Sequence, residues 1–217
     1  MKIELRGVSK GRNGEALPQT DLSFETGQAV FARAETEQRP TVLGLLASGR
    51  MKPDEGTIEI DGMADAAGMR RRIALVDAPD ISEPAPRVTV GAVTAEELMF
   101  AGVSSGRRTV HRWLSHHHLD HLMRRPIATV APRARMHLLT ELAVLRADVE
   151  ALVVVAPDRH GGDPRIWWDQ ALALADRGFG MLMIAGYSSA KVIGAITDDT
   201  DREAGDPGEP AVEDARS

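Results

Sequence analysis

The chain contains no cysteine in its 217 residues, which excludes disulfides, thiolate metal sites and cysteine nucleophiles and fits a reducing compartment. It has no apolar run approaching the length of a membrane span, so the sequence predicts that the chain itself does not cross a bilayer. The opening MKIELRGVSK passes straight into alternating apolar and polar positions, without the apolar stretch and cleavage site of a secretory signal. A cytoplasmic location is expected. An excess of one charge is also missing from most of the chain. Asp198 to Ser217 hold eight acidic and two basic residues, which leaves 24 of each sign in the rest. A neutral body offers no broad basic field to a phosphate backbone, and nucleic acid is disfavoured as a partner. The acidic tail, with Gly205, Pro207, Gly208 and Pro210, has too little apolar surface to offset the entropy of ordering and is expected to be disordered.

The remaining residues carry the composition of an ordinary globular domain, 43% hydrophobic and 27% charged. Lys2 to Val8 alternates as a strand, Asn13-Gly14 marks a turn, and Leu22 to Glu25 alternates again, which together predict an antiparallel hairpin. Ala29 to Ala32 reads as a short buried strand, Arg33 to Pro40 as a polar loop and Val42 to Ala47 as a helix. Strand, loop and helix in that order are the layout of a phosphate loop. Further strands are expected at Thr57 to Ile60 and Ile73 to Val76, then helices between Val90 and Leu145, broken at Gly102 to Gly106 and around Pro126 and Pro132. Leu152 to Val155 and Met181 to Ala185 are continuous apolar runs, as in strands of a parallel sheet covered on both faces, with a helix over Ile166 to Arg177 between them. The fold class is α/β.

Over residues 1 to 195 this order resembles an ATP-binding cassette domain, the nucleotide-binding subunit of ABC transporters. The resemblance rests on Gly27-Gln28, on Gly49-Arg50-Met51-Lys52-Pro53-Asp54-Glu55-Gly56-Thr57-Ile58 with Asp61-Gly62, on Thr89-Val90, on Leu119-Asp120-His121-Leu122 to Arg125-Pro126-Ile127, and on Pro157 with Asp163-Pro164. It implies a P-loop ABC-type domain over residues 1 to 197, with an antiparallel β subdomain, a mainly parallel core sheet flanked by helices, and a helical subdomain near 88 to 145. It also implies ATP and magnesium as cofactors, an integral membrane permease-like partner or a second cassette subunit, and a place on the inner face of the cell membrane. In the family, a groove beside the glutamine loop and helical subdomain receives a helix of the membrane partner, which points to Val88 to Gly102.

The chemistry of the family is missing from this frame. Its phosphate loop, G-x-x-x-x-G-K-[ST], falls on Ala34-Glu35-Thr36-Glu37-Gln38-Arg39-Pro40-Thr41, which has neither the glycines that turn N–H groups toward phosphate nor the lysine. Pro40, at the lysine's place, has no charge and no N–H. A carboxylate such as Glu35 or Glu37 about 5 Å from a phosphate costs on the order of 3 kcal/mol at an effective dielectric near 20. By position, Arg39, Pro40, Thr41 and Val42 are the candidate nucleotide contacts, and a one-residue slip would put Arg39 at the lysine's place. The family's Walker B Asp-Glu falls on Val155 and Ala156, which neither ligate a hard cation nor accept a proton, so no catalytic residue is assigned. Asp158, two residues on, is expected to point elsewhere with the turn. The signature positions read Val130-Ala131-Pro132-Arg133-Ala134, the glutamine-loop position is Ala78, the switch histidine falls near Gly186-Tyr187, and Ser9 to Gly14 holds no aromatic ring to stack on adenine.

The resemblance therefore implies a pseudo-ATPase, a non-hydrolysing scaffold or regulatory subunit. The alternative is the degenerate half of an asymmetric transporter ATPase that still binds ATP weakly. Outside the frame, histidines 111, 116, 117, 118 and 121 cluster, with His117 and His121 spaced for one helix face, as in some zinc sites or in a histidine-rich surface. No metal site is assigned. Arg133 and Arg135 read as an anion-attracting or solvated basic face, Arg70-Arg71-Arg72 as a solvated run, and Trp167-Trp168 as one core and one rim ring.

Overall fold

The computed structural model describes residues 1 to 35 and 38 to 194. The tail expected to be disordered, and Thr36 and Glu37 of the phosphate-loop stretch, lie outside the described residues. Strands β1 (Lys2–Lys10) and β2 (Leu17–Glu25) form the expected hairpin, turning where Asn13 and Gly14 take positive φ. A third strand, β4 (Glu55–Ile60), pairs antiparallel with the other edge of β1. The register opposes Ile3 to both Phe24 and Ile60, so the period-2 alternation places these buried side chains on one face. Gly56 is required there: at φ 81°, a Cβ would lie 2.4 Å from the Gly7 carbonyl oxygen.

The second sheet is parallel, in the order β3 (Ala29–Arg33), β7 (Gly180–Ala185), β6 (Ala151–Val155) and β5 (Ile73–Val76). Every residue of β5, β6 and β7 is buried, which is why their sequences show no polar alternation. Their side chains divide between two cores. Leu75, Val153, Val155 and Ile184 pack toward the antiparallel sheet and α1 (Gln38–Ala47). Val76, Leu152, Val154 and Met183 pack toward α5 (Pro132–Ala143), α6 (Pro164–Asp176) and the helices inserted between β5 and β6. Burying each such aliphatic side chain stabilises by about 1.5–3 kcal/mol. Helix α1 comes close enough to β6 that a Cβ on Gly44 would lie 2.6 Å from Val155 Cγ2.

Two short helices are absent from the sequence expectation, α2 (Ala66–Arg72) and α7 (Tyr187–Val192). Asp65 caps α2 by accepting from the Gly68 N–H at 2.8 Å. Its arginines are not simply a solvated run. Arg72 forks onto Glu150 at 2.6 and 2.9 Å and reaches Asp61 at 2.8 Å, while Arg70 donates to the Gly49 carbonyl. The insert contains α3 (Val90–Phe100), capped by Thr89, and α4 (Arg107–His116). Helix α4 ends in a left-handed cap at His118 (φ 59°), with the Leu119 N–H bonded to the Leu114 carbonyl and Leu119 buried beyond it. That stop overturns the single helix face expected for His117 and His121. His117 instead faces the Trp113 ring and His137, with Nδ1 3.4 Å from His137 Nε2, and His121 lies past the turn. Trp167 is buried and stacked on Phe31, with Trp168 half-buried edge-on to the same ring, the core and rim pair the sequence suggests.

Candidate functional site

The carboxyl ends of β3, β6 and β7 and the first turn of α1 enclose a cleft of about 1010 Å³, the position at which an α/β sheet receives a ligand. Its polar lining includes Glu35, Thr41, Asp80, Asp158, Arg159 and Ser189. Glu35 Oε1 accepts from the Tyr187 N–H at 2.6 Å. Asp158 Oδ2 accepts from the Gly186 N–H at 2.9 Å and from Ser189 Oγ at 3.2 Å. Two carboxylates thus take up N–H groups at the start of α7, which places negative charge at the positive end of that helix. Arg159 is the sole cationic side chain in the lining among the described residues, and it is already occupied. Its Nη1 donates to the carbonyls of Asp77 at 2.6 Å and Val155 at 3.1 Å, and its Nη2 pairs with Glu83 at 2.7 Å and Asp77 at 3.2 Å.

Beneath the cleft lies an ionic cluster centred on Asp77, which follows β5 in a left-handed conformation (φ 56°) and is 6% exposed. Arg135 of α5, 5% exposed, binds it through both nitrogens of its fork, Nε to Oδ2 at 3.0 Å and Nη2 to Oδ1 at 2.6 Å. His160 Nε2 is 2.9 Å from Asp77 Oδ2. Burial pushes the Asp77 carboxyl up, but hydrogen bonding to His160 and Arg135 and the charges of Arg135 and Arg159 more than offset it and hold it below the ordinary carboxylate range. Arg135 is therefore not the anion-attracting or solvated face expected. Pro132 starts α5, and one turn on Arg135 and Met136 face inward with Leu139, so the guanidinium enters the core where Asp77 awaits it.

No protein-family model matches the sequence, and no curated protein does. Solved structures do match. An ATP-binding subunit of an ABC transporter superposes with a TM-score of 0.61 at 17% identity, over 88% of this chain and 82% of that one. A nucleotide-free ATP-binding cassette from an ABC transporter gives 0.62 at 18% identity, over 91% and 86%. A Pyrococcus furiosus protein described as an ABC transporter ATP-binding protein gives 0.60 at 15%, over 86% and 92%. The chain has the ATP-binding cassette fold. Both sheets of the cassette, the antiparallel and the parallel one flanked by helices, are those the sequence resemblance implied.

Placed on the cassette, the candidate contacts divide. Pro40, Thr41 and Val42 line the cleft, and half-buried Arg39 is not part of its lining. Helix α1 begins at Gln38, so Pro40 sits buried in its first turn, where proline is tolerated but removes one of the free N–H groups of that end. At the positions the sequence resemblance assigns to Walker B, Val155 is fully buried against Gly44, and Ala156 takes a left-handed conformation (φ 47°, ψ 52°) that is rare and strained for a residue with a Cβ. Asp158 does not point elsewhere. It lines the cleft with Thr41, because the left-handed turn at Ala156 carries the following residues back over the sheet ends. Asp163 caps α6 ahead of Pro164 by accepting from the Arg165 N–H at 3.0 Å. No sequence signal announces the Glu35 to Tyr187 bond, which joins residues 152 apart.

Proposed function

We propose that the chain is a pseudo-ATPase, a cassette subunit that binds a membrane partner as a scaffold or regulator without hydrolysing ATP. The observation that carries this reading is the charge of the cleft. Its lining cation is committed to Asp77 and Glu83, while Glu35 and Asp158 hold negative charge beside the first turn of α1. A triphosphate needs donors and positive charge there, and would meet carboxylates instead. Magnesium demands several oxygen ligands in near-octahedral order, and Val155 and Ala156 supply none. These residues do not fit a magnesium nucleotide.

Docking on an integral membrane protein is supported by the cassette fold and by the apolar surface at the end of α3. Met99 and Phe100 are 58% and 60% exposed, within the Val88 to Gly102 segment where the resemblance places the groove for the partner's helix. The alternative, weak ATP binding as the degenerate half of an asymmetric pair, draws on Thr41 and Asp158, the hydroxyl and carboxylate that share the cleft. Phosphate release from Mg-ATP separates the two. The pseudo-ATPase reading expects no turnover by the full chain, alone or with added membranes. Turnover that disappears in Asp158→Asn would overturn it.

A further inference from the structure

A second cavity lies in the helical insert, away from the cleft, with a volume of about 610 Å³, within the range of small-molecule sites. Arg107, Arg108 and His111 border it from the first turns of α4, and His121 and Arg124 from the segment beyond the helix stop, with Asp120 the one acidic residue in the lining. Val110 and Leu114, buried on the other face of α4, anchor the helix so that these cationic side chains stay exposed. No ion pair or hydrogen bond joins the side chains of Arg107, Arg108 or Arg124 to any described residue. Several other arginines do pair with carboxylates, among them Arg72 with Glu150 at 2.6 Å, Arg135 with Asp77 at 2.6 Å, Arg159 with Glu83 at 2.7 Å and Arg177 with Glu141 at 2.5 Å. In a body with equal numbers of acids and bases, three unpaired guanidiniums around one concavity are a local excess whose mutual repulsion an anionic ligand would relieve.

We propose that this cavity binds a phosphate-bearing anion. The guanidinium fork is planar and always charged, and it matches phosphate oxygens two at a time, so three of them converging from two chain segments make a polydentate phosphate site. The helix end adds N–H groups, since Gly106 caps α4 without a side chain and Arg107 and Arg108 lie in its first turn. The phosphate can belong to a free small molecule or to the headgroup of an anionic lipid. A lipid source would draw on Phe100 and Val103, 60% and 43% exposed on the stretch leading into α4.

The test uses the full chain with two probes: inorganic tripolyphosphate in calorimetry, and sedimented phosphatidylcholine vesicles with and without phosphatidylserine. The site predicts saturable binding to at least one probe, weakening as salt rises. It also predicts a loss of tenfold or more in the triple variant Arg107→Gln/Arg108→Gln/Arg124→Gln, whose replaced side chains are all exposed. Should the triple variant fail to fold, Arg124→Gln alone is expected to lose severalfold. Tripolyphosphate binding with no preference for phosphatidylserine assigns a free phosphorylated ligand. Vesicle binding that requires phosphatidylserine and falls in Phe100→Ser assigns a lipid. Binding of neither probe, or binding that the arginine variants retain in full, overturns the proposal.

Discussion

By the alignment that the resemblance implies, Val155 falls where the cassette family keeps its magnesium-anchoring aspartate, and the surroundings of Val155 do not suit a carboxylate. Its methyl groups meet Gly44 of α1, and Leu75 and Ile184 share the same core. Val155→Asp is expected to destabilise the chain by about 3 kcal/mol or more in urea denaturation, because a carboxylate would be buried without a partner. It should confer no magnesium-dependent stabilisation. That Val155 and Ala156 carry no polar side chain was legible in the sequence, because they end a continuous apolar run. Side-chain direction was less legible, and Asp158 is the example. Its position in the cleft depends on the left-handed backbone of Ala156, which residue identity does not announce because alanine is unremarkable elsewhere.

At the scale of elements, the cluster around Asp77 joins the end of β5, the first turns of α5 and the turn after β6. Arg135→Met should cost about 3 kcal/mol by leaving the buried carboxylate short of its main partner. Asp77→Asn, which tolerates the left-handed backbone, should combine with Arg135→Met less than additively, with a coupling of about 1–3 kcal/mol in a double-mutant cycle. Additivity would mean that the pair is not a unit. The sequence could not supply this contact, because 58 residues separate its members and an arginine in an amphipathic helix reads as solvated. The strands were easier, since three continuous apolar runs admit only a sheet covered on both faces. Helices α2 and α7 escaped because seven and six residues are too few to display a period.

His117 offers a second test at this scale. Burial beside Trp113, with the positive charges of neighbouring His137, His116 and Arg177, outweighs Glu141 and lowers its proton affinity from the ordinary value near 6.5. The folded chain therefore favours the neutral ring, and the unfolded chain binds the extra proton first as pH falls. The stability contributed by His117 is present above about pH 6.5 and lost as pH falls through the lowered folded value. Urea midpoints between pH 7.5 and 5.5 should fall less steeply in His117→Phe, which keeps a ring on Trp113. An unchanged slope would show that His117 does not titrate differently in the two states.

For the whole molecule, the cassette fold is combined with a cleft lined by Glu35, Asp80 and Asp158, whose lining cation Arg159 is held by Glu83 and Asp77. The parallel sheet, α1 and α6 depend on apolar packing that is indifferent to the polar residues at the sheet ends, so one can persist when the other is lost. Calorimetry of the full chain with Mg-ATP, paired with its thermal unfolding, tests whether the cleft takes a nucleotide. A ligand that binds only the native state must raise its stability. A cleft that does not bind nucleotide gives no saturable heat and no rise in Tm at millimolar Mg-ATP. Saturable binding with a matching rise in Tm would overturn the pseudo-ATPase reading and assign Thr41 and Asp158 to a working nucleotide site.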